Sequence, residues 1–416
     1  MDRLPGFRDF YPEPIPHAEV WSADARQFIF EKWRTAARRY NFREYDGPPL
    51  EALELFTTKS GDEIVGQLYN FTDKGERAVA LRPEMTPTLA RLIAAHERSY
   101  KKPIKWFALP QLFRYERQQK GRLREHFQFN ADIIGERDPA ADAELIALLI
   151  DSLRAFGLTS KDFVIRLSSR NAWQEFYEAR KQKAEGGSDD SYNFFQAIDK
   201  LERPEKGESE IKLRAMGFSS EDVYGFIESG KPTAELQRIL DNLAARGLQD
   251  FVRVDYHVIR GLAYYTGVVF EAFDLRGEFR AIAGGGRYDN LVKLISGGKV
   301  DLPALGFGMG DVVLLELLKA CGLLPKFDAA TDVFVLIEDE ALRAQSLKLV
   351  HDLRAGGFAV EYPLTPAKPD KQIKRAQELK VANTVRLENS DYVRIRDLNT
   401  RKEIVAGVAD TVNHLG

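Results

Sequence analysis

The chain has 416 residues, 44% of them hydrophobic and 30% charged, with a formal net charge of -3. These values describe an ordinary soluble globular protein of two or three domains and exclude overall basicity as the means of attracting nucleic acid, so such binding must use a local patch. The single Cys321 excludes an internal disulfide, and six scattered histidines without HxxxH or HxH pairing argue against a protein-held metal site.

In chain order, the opening MDRLPGFRDFYPEP has no apolar signal segment, and no later run approaches transmembrane length, so the expected compartment is the cytoplasm. Proline and glycine break up residues 1–16. A helix is expected from about Ala18 to Tyr40, with Val20, Phe28, Ile29, Trp33 and Ala36 as its apolar positions. Pro48-Pro49 stops regular structure before Leu50. Ala78 to Leu81 reads as a strand, and Pro83 and Pro87 bracket a turn that opens a helix from Thr88 to His96. The apolar run Trp106 to Leu109 precedes RYERQQKGRLREHFQFNAD, residues 114–132. This segment crowds five basic side chains together and resumes alternation at Phe127, Phe129 and Ala131, which predicts two strands joined by a long basic loop. Asp138-Pro139 is a helix start, with Asp able to cap and Pro suited to the first turn. That helix runs through Leu145, Ile146, Leu149, Ile150 and Leu153 and stops near Gly157.

From about Asn171 to Gly247 strand signals vanish and polar helices dominate, which suits either a helical insertion or a helical cap of the same domain. Strand patterning returns at Phe251 to Val254, and the β-rich part ends in a helix from Val312 to Ala320, closed by Gly322. After a short linker, strands at Val333–Ile337, Phe358–Tyr362, Thr384–Leu387 and Tyr392–Arg396 alternate with helices at Leu342–Ala355 and Lys371–Leu379. This rhythm predicts a small α/β domain with a mostly parallel sheet.

Five segments have the residue types of a binding site. The basic run can present guanidinium forks to polyphosphate or carboxylate, although a solvated loop has the same composition. In LRPEMT, Pro83 fixes the backbone beside Glu84, a carboxylate suited to an ammonium group or to a helix start. RGLAYYTG, residues 260–267, joins Arg260 to Tyr264 and Tyr265, whose hydroxyls can read a polar heterocycle or whose rings can fill a core. AGGGRYD and GFGMG are glycine-rich but fit neither the P-loop nor the dinucleotide fingerprint. Gly306, Gly308 and Gly310 clear one face of a strand, leaving room for a flat ring or for close helix packing.

Taken together and in this order, these segments resemble the histidyl-tRNA synthetases, a family of class II aminoacyl-tRNA synthetases, over nearly the whole chain. YDGPPLEALELF resembles motif 1, the dimer-interface element. FRYERQQKGRLREHFQ resembles motif 2, and ALGFGMGDVVLLELL occupies the place of motif 3. RGLAYYTGVVFE and AGGGRYDNLV are similar to the two signatures specific to the histidine enzymes. The resemblance implies an α+β catalytic domain over residues 1–326, with an antiparallel sheet flanked by helices and an insertion at about 171–250. It implies an α/β anticodon-binding domain over residues 331–416 and a homodimer. The implied reaction joins ATP, with magnesium, and histidine into histidyl-adenylate, then passes the histidyl group to the 3' end of tRNA(His). By motif position, Arg114 and Arg260 face the reacting phosphate, and Arg122, Arg124, Gly308 and Gly310 belong to the ATP site. Glu84, Thr86 and Gln128 hold the amino end of histidine, while Asp132, Tyr264 and Tyr265 read the imidazole. Arg117 and Gln119 are placed for the acceptor stem, which the insertion would clasp. Lys371 and Lys374, with Lys368 and Arg375, could face tRNA phosphates from the last domain, or form a solvated helix face.

Three positions depart from the family pattern. Val313 stands where motif 3 carries an arginine, Ala263 stands for an acidic residue, and Asp132 is one methylene shorter than the usual glutamate. The competing expectation is a non-catalytic regulatory paralogue acting with ATP phosphoribosyltransferase. Such paralogues typically lack the tyrosine signature and the C-terminal domain, and this chain has both. A prolyl or threonyl enzyme is disfavoured by RGLAYYTG and GGGRYD. A plain RNA-binding module has no need of Glu84, Asp132 and two tyrosines beside an arginine.

Overall fold

The structure is a computed structural model that describes residues 2–17, 20–57, 66–116, 123–181, 191–201, 206–259, 264–327 and 331–415. Contacts divide the chain into two compact units, one formed by Met1–Asp9 with Ala25–Leu324 and the other by Phe10–Asp24 with Pro325–Gly416.

The larger unit is built on a nine-stranded sheet. Its strands are β1 (Arg43–Glu44), β2 (Ile104–Ala108), β3 (Gln111–Phe113), β4 (Glu125–Ile134), β5 (Phe163–Ser169), β6 (Val252–Val254), β7 (Val268–Asp274), β8 (Ala283–Arg287) and β9 (Ala304–Gly310). The spatial order is β6-β5-β7-β8-β9-β4-β2-β1, with β3 paired to β4. The centre is antiparallel as expected, but β1 on β2 and β6 on β5 are parallel, so the sheet is mixed at both edges. Local alternation predicts strands but carries no information on which neighbour they pair with, which is why the parallel edges escape a sequence reading.

Strand β4 shows how the sheet separates core from site. Successive side chains on a strand point to opposite faces. Phe129, Ala131 and Ile133 are buried, and Phe129 stacks on Trp33 of the helix α1 (Ala23–Arg39) with ring centroids 5.7 Å apart. Burying a phenylalanine of this kind is worth roughly 1.5–3 kcal/mol. Gln128, Asn130 and Asp132 take the opposite face. The helix α2 (Thr86–His96) carries proline in its first turn and packs Leu89 and Ile93 into a cluster with Ile104, Ile134, Tyr264 and Tyr288. The helix α3 (Ala140–Arg154) buries Leu145, Ile146, Leu149, Ile150 and Leu153 completely. Asp138 Oδ1 accepts from Ala140 N at 2.9 Å at its start, and Gly157 beyond its end adopts φ +93°, the left-handed region that glycine tolerates.

Between β5 and β6 the described chain is helical: Arg170–Lys181, Ser191–Asp199, Lys206–Ala215, Ser220–Ser229 and Ala234–Ala245. Ser219 and Thr233 cap the fourth and fifth of these. Strand β9 runs directly into the helix α4 (Asp311–Ala320).

The smaller unit holds a two-stranded parallel ladder, Phe10–Tyr11 on Trp21–Ser22, and a five-stranded sheet. In that sheet Val333–Leu336 is flanked in parallel by Val360–Glu361 and Asn383–Leu387. Tyr392–Asp397 and Glu403–Gly407 then add in antiparallel fashion. The sheet is therefore half parallel rather than mostly so, because a final hairpin follows the last crossover. The helix Pro369–Glu378 is fixed by buried Gln372, whose side chain accepts from Ile337 N at 2.8 Å and donates to Ile337 O at 2.7 Å. No helix among the described residues is long and apolar enough to cross a membrane.

Candidate functional site

The cavity face of the larger sheet is bounded by Glu84, Thr86, Arg114, Gln128, Asn130, Asp132, Tyr264, Tyr265, Gly284, Tyr288, Gly306, Phe307 and Gly308, and encloses about 440 Å³ of space that is partly open to solvent. Of the residues anticipated for binding, Glu84, Thr86, Arg114, Gln128, Asp132, Tyr264, Tyr265 and Gly308 meet here.

Each wall follows from local structure. Pro83 and Pro87 frame the turn that leads into α2, so Glu84 is 4% exposed and fixed. Tyr264 Oη donates to Glu84 Oε2 at 2.8 Å, and burial followed by the neighbouring Glu84 carboxylate pushes that phenol well above 10. Arg82 faces away from the cavity. Its guanidinium donates to Asp46 Oδ1 at 2.9 Å and Gly47 O at 2.7 Å, tying the Asp46-Gly47 segment to the turn. Arg114 lies just past β3, where Arg114 N donates to Arg124 O at 2.9 Å and prolongs the β3–β4 hairpin. Its Nε donates to Pro83 O at 2.9 Å, which joins the motif 2 hairpin to the Glu84 turn. Its side chain is 27% exposed.

The floor is strand β4 beside strand β9, where Gly306 pairs with Asp132 and Gly308 with Asn130. A Cβ on Gly306 would collide with Asp132 Oδ1, and one on Gly308 would come within 2.6 Å of Gln128 Cδ. The space cleared by these two glycines is thus taken by the side chains of Asp132 and Gln128, not left as a slot for a ring. Gly310 faces open space and does not line the cavity.

Tyr288 Oη donates to Asp132 Oδ1 in a short hydrogen bond. Burial raises the Asp132 carboxyl from 3.8 to about 7, opposed by the Tyr288 hydrogen bond. Tyr288 belongs to the GGGRYD segment, in which Arg287 faces the other way and pairs with buried Asp142 at 2.5 Å on α3. His126, next to Arg114, is pushed down to about 3 by burial and then by Arg114 and Arg8, so it adds no charge near neutral pH.

Sequence reasoning missed Tyr288, Asn130 and a buried ion cluster behind the floor. In that cluster Arg8 Nε donates to Glu125 Oε1 at 2.6 Å and Arg8 Nη1 to Asp311 Oδ2 at 2.8 Å. Asp311 Oδ1 also accepts from Phe127 N at 3.0 Å. The opening GFRDF segment is thereby locked to both β4 and the start of α4. Arg124 sits outside the cavity, its guanidinium 4.1 Å from the Tyr115 ring centroid and its Nε 3.3 Å from Glu116 O. Arg117, Gln119, Arg122, Arg260 and Ala263 lie outside the described residues. In the smaller unit Lys371 and Lys374 are exposed on the helix Pro369–Glu378, opposite Gln372 and Ala376.

Residues 21–311 match the family model described as Histidyl-tRNA synthetase, and residues 332–415 match that of an anticodon binding domain. The chain belongs to the histidyl-tRNA synthetase family. It is 46% identical to a histidine–tRNA ligase of Opitutus terrae, over 96% of this chain and 94% of that one. It is 36% identical to a histidine–tRNA ligase of Thermoplasma volcanium, over 100% of this chain and 98% of the relative. The crystal structure of histidyl-tRNA synthetase from Nostoc sp. PCC 7120 shares the fold, with a TM-score of 0.75 at 21% identity over 98% of this chain and 99% of that one.

Proposed function

We propose that the chain is a histidine–tRNA ligase, which activates histidine with ATP and transfers it to the 3' end of tRNA(His). The observation that carries this reading is the polarity of the cavity: a fixed carboxylate at Glu84, a half-buried guanidinium at Arg114, and a buried Asp132–Tyr288 pair farther along the floor. Such a cavity matches an amino acid with an ammonium group at one end and an imidazole at the other.

Glu84, with Thr86 and Gln128, holds the α-ammonium. Asp132, with Tyr264 and Tyr265 as walls, receives the ring, and its short side chain leaves room for the Tyr288 hydroxyl. This arrangement brings the α-carboxylate up to Arg114. A carboxylate oxygen then attacks the α-phosphorus of ATP, the new P–O bond forms in line, and pyrophosphate leaves with the electron pair. Negative charge grows on the α-phosphate, and a cation already held in place stabilises it without reorganisation. Arg114 is that cation on one side, its direction set by Pro83 O. Arg260 is proposed for the other side. Magnesium, entering with ATP as part of that substrate, would neutralise phosphate charge. Arg122 and Arg124, with Gly308 and Gly310, are proposed for the rest of the nucleotide.

Residues 1–326 are proposed as the catalytic domain, with the helices of about 171–250 and the loop residues Arg117 and Gln119 against the acceptor stem. Residues 331–416 are proposed to bind the anticodon, with Lys371 and Lys374 facing phosphates. The working form is proposed to be a homodimer in the cytoplasm. A charging assay with radiolabelled histidine and purified tRNA(His) tests the whole reading: labelled tRNA is the expected product, and its absence with intact protein contradicts it.

A further inference from the structure

The floor of the cavity carries a polar atom that no described residue satisfies. Asn130 is 5% exposed, and its Oδ1 is buried without a hydrogen-bond partner. Its neighbours in register are Gly308 on β9 and Ala108 on β2. Residues opposite one another on paired strands share a face. A hydrogen and a methyl group therefore flank the carboxamide, and neither can bond to it. The residues two places away on β4 are Gln128 and Asp132, and the Asp132 carboxylate already receives Tyr288. A buried carbonyl left alone is unfavourable, and such groups in native proteins nearly always find a partner. Here the carboxamide lines the cavity, so the partner comes from its occupant.

We propose that Asn130 is a specificity-determining contact for the bound amino acid, its carboxamide hydrogen-bonding the imidazole ring beside Asp132. The inference rests on the activity proposed above. Asn130 stands on the strand between Gln128, at the amino end, and Asp132, at the ring end, which puts it under the amino acid rather than under the nucleotide. A neutral imidazole has one N–H and one bare nitrogen. The unpartnered Asn130 oxygen accepts from the ring N–H, and Asp132 faces the other nitrogen. A ring with a single polar nitrogen, or none, leaves one of the two buried groups unpaired, and such mismatches discriminate strongly.

The test is steady-state pyrophosphate exchange with the full chain, magnesium and ATP, varying histidine and ATP in turn. Asn130→Ala is expected to raise the histidine KM about tenfold, the size of one lost buried hydrogen bond, and to leave the ATP KM unchanged. Asn130→Leu keeps the volume but removes the acceptor oxygen, and is expected to raise the histidine KM as well; it carries the test if the alanine variant does not fold. A parent chain that exchanges with histidine, together with variants whose histidine KM is unaltered or whose ATP KM alone rises, overturns the contact. A parent chain with no histidine-dependent exchange overturns the activity reading itself and the contact with it.

Discussion

Asp132 is the buried carboxyl at the end of the cavity proposed to take the ring. Its carboxyl is 3% exposed. Burial lifts it from 3.8 to about 7, with the Tyr288 hydrogen bond pulling the other way. A folded protein that holds a proton the unfolded chain has already released becomes less stable as pH rises. The loss starts near pH 4, is complete near pH 7, and stays constant above that. The full rise from 3.8 to about 7 corresponds to roughly 4 kcal/mol, of which about 2–3 kcal/mol develops between pH 5 and pH 8. Asp132→Asn removes the titration and leaves Tyr288 an acceptor. At about 2 °C per kcal/mol for a unit of this size, calorimetry should find the variant gaining roughly 4–6 °C in Tm relative to the parent on going from pH 5 to pH 8. Asp142, which burial also lifts to about 7 against the pull of Arg287, is common to both proteins and cancels. An equal Tm difference at the two pH values would show Asp132 to be ionised and solvated throughout, against this expectation.

Arg8→Ala leaves Glu125 and Asp311 buried without their cation, and urea denaturation of the variant should show a loss of about 3–5 kcal/mol, the usual cost of breaking a buried pair from one side. Gly306→Ala forces a methyl group against the Asp132 carboxyl; a drop of about 1–3 kcal/mol in stability is expected, and histidine-induced thermal stabilisation should disappear. Glu84→Gln keeps the Tyr264 partner but removes the charge proposed to face the ammonium, so the histidine KM in pyrophosphate exchange should rise by about 10- to 100-fold with little change for ATP.

Much of the site can be read from the sequence because its parts are local. The proline turn fixes Glu84, alternation on β4 puts Gln128 and Asp132 on one face, and the paired tyrosines follow a single segment. The same alternation contains Asn130, but an asparagine in mid-strand gives no sign of whether its neighbours can satisfy it; that depends on Gly308 and Ala108 from two other strands. Tyr288 was hidden in the same way, since its bond to Asp132 joins residues from distant parts of the chain. Arg8 shows the limit most clearly. As a lone arginine near the start it reads as surface, and only the fold reveals Glu125 and Asp311 around it. The glycines of β9 were recognised as clearing a face, yet the space belongs to side chains of β4, which requires the register. In the smaller unit, the strand Glu403–Gly407 went unseen because three of its five residues are exposed and it pairs on one side only.

Histidine activation is the chemistry proposed for this cavity. Pyrophosphate exchange with magnesium, ATP and each of the twenty amino acids in turn tests it most directly. Exchange with histidine alone is expected, abolished or severely reduced by Arg114→Ala and Arg260→Ala in protein that still folds. Exchange driven by another amino acid, or none with histidine in correctly folded chain, would contradict it.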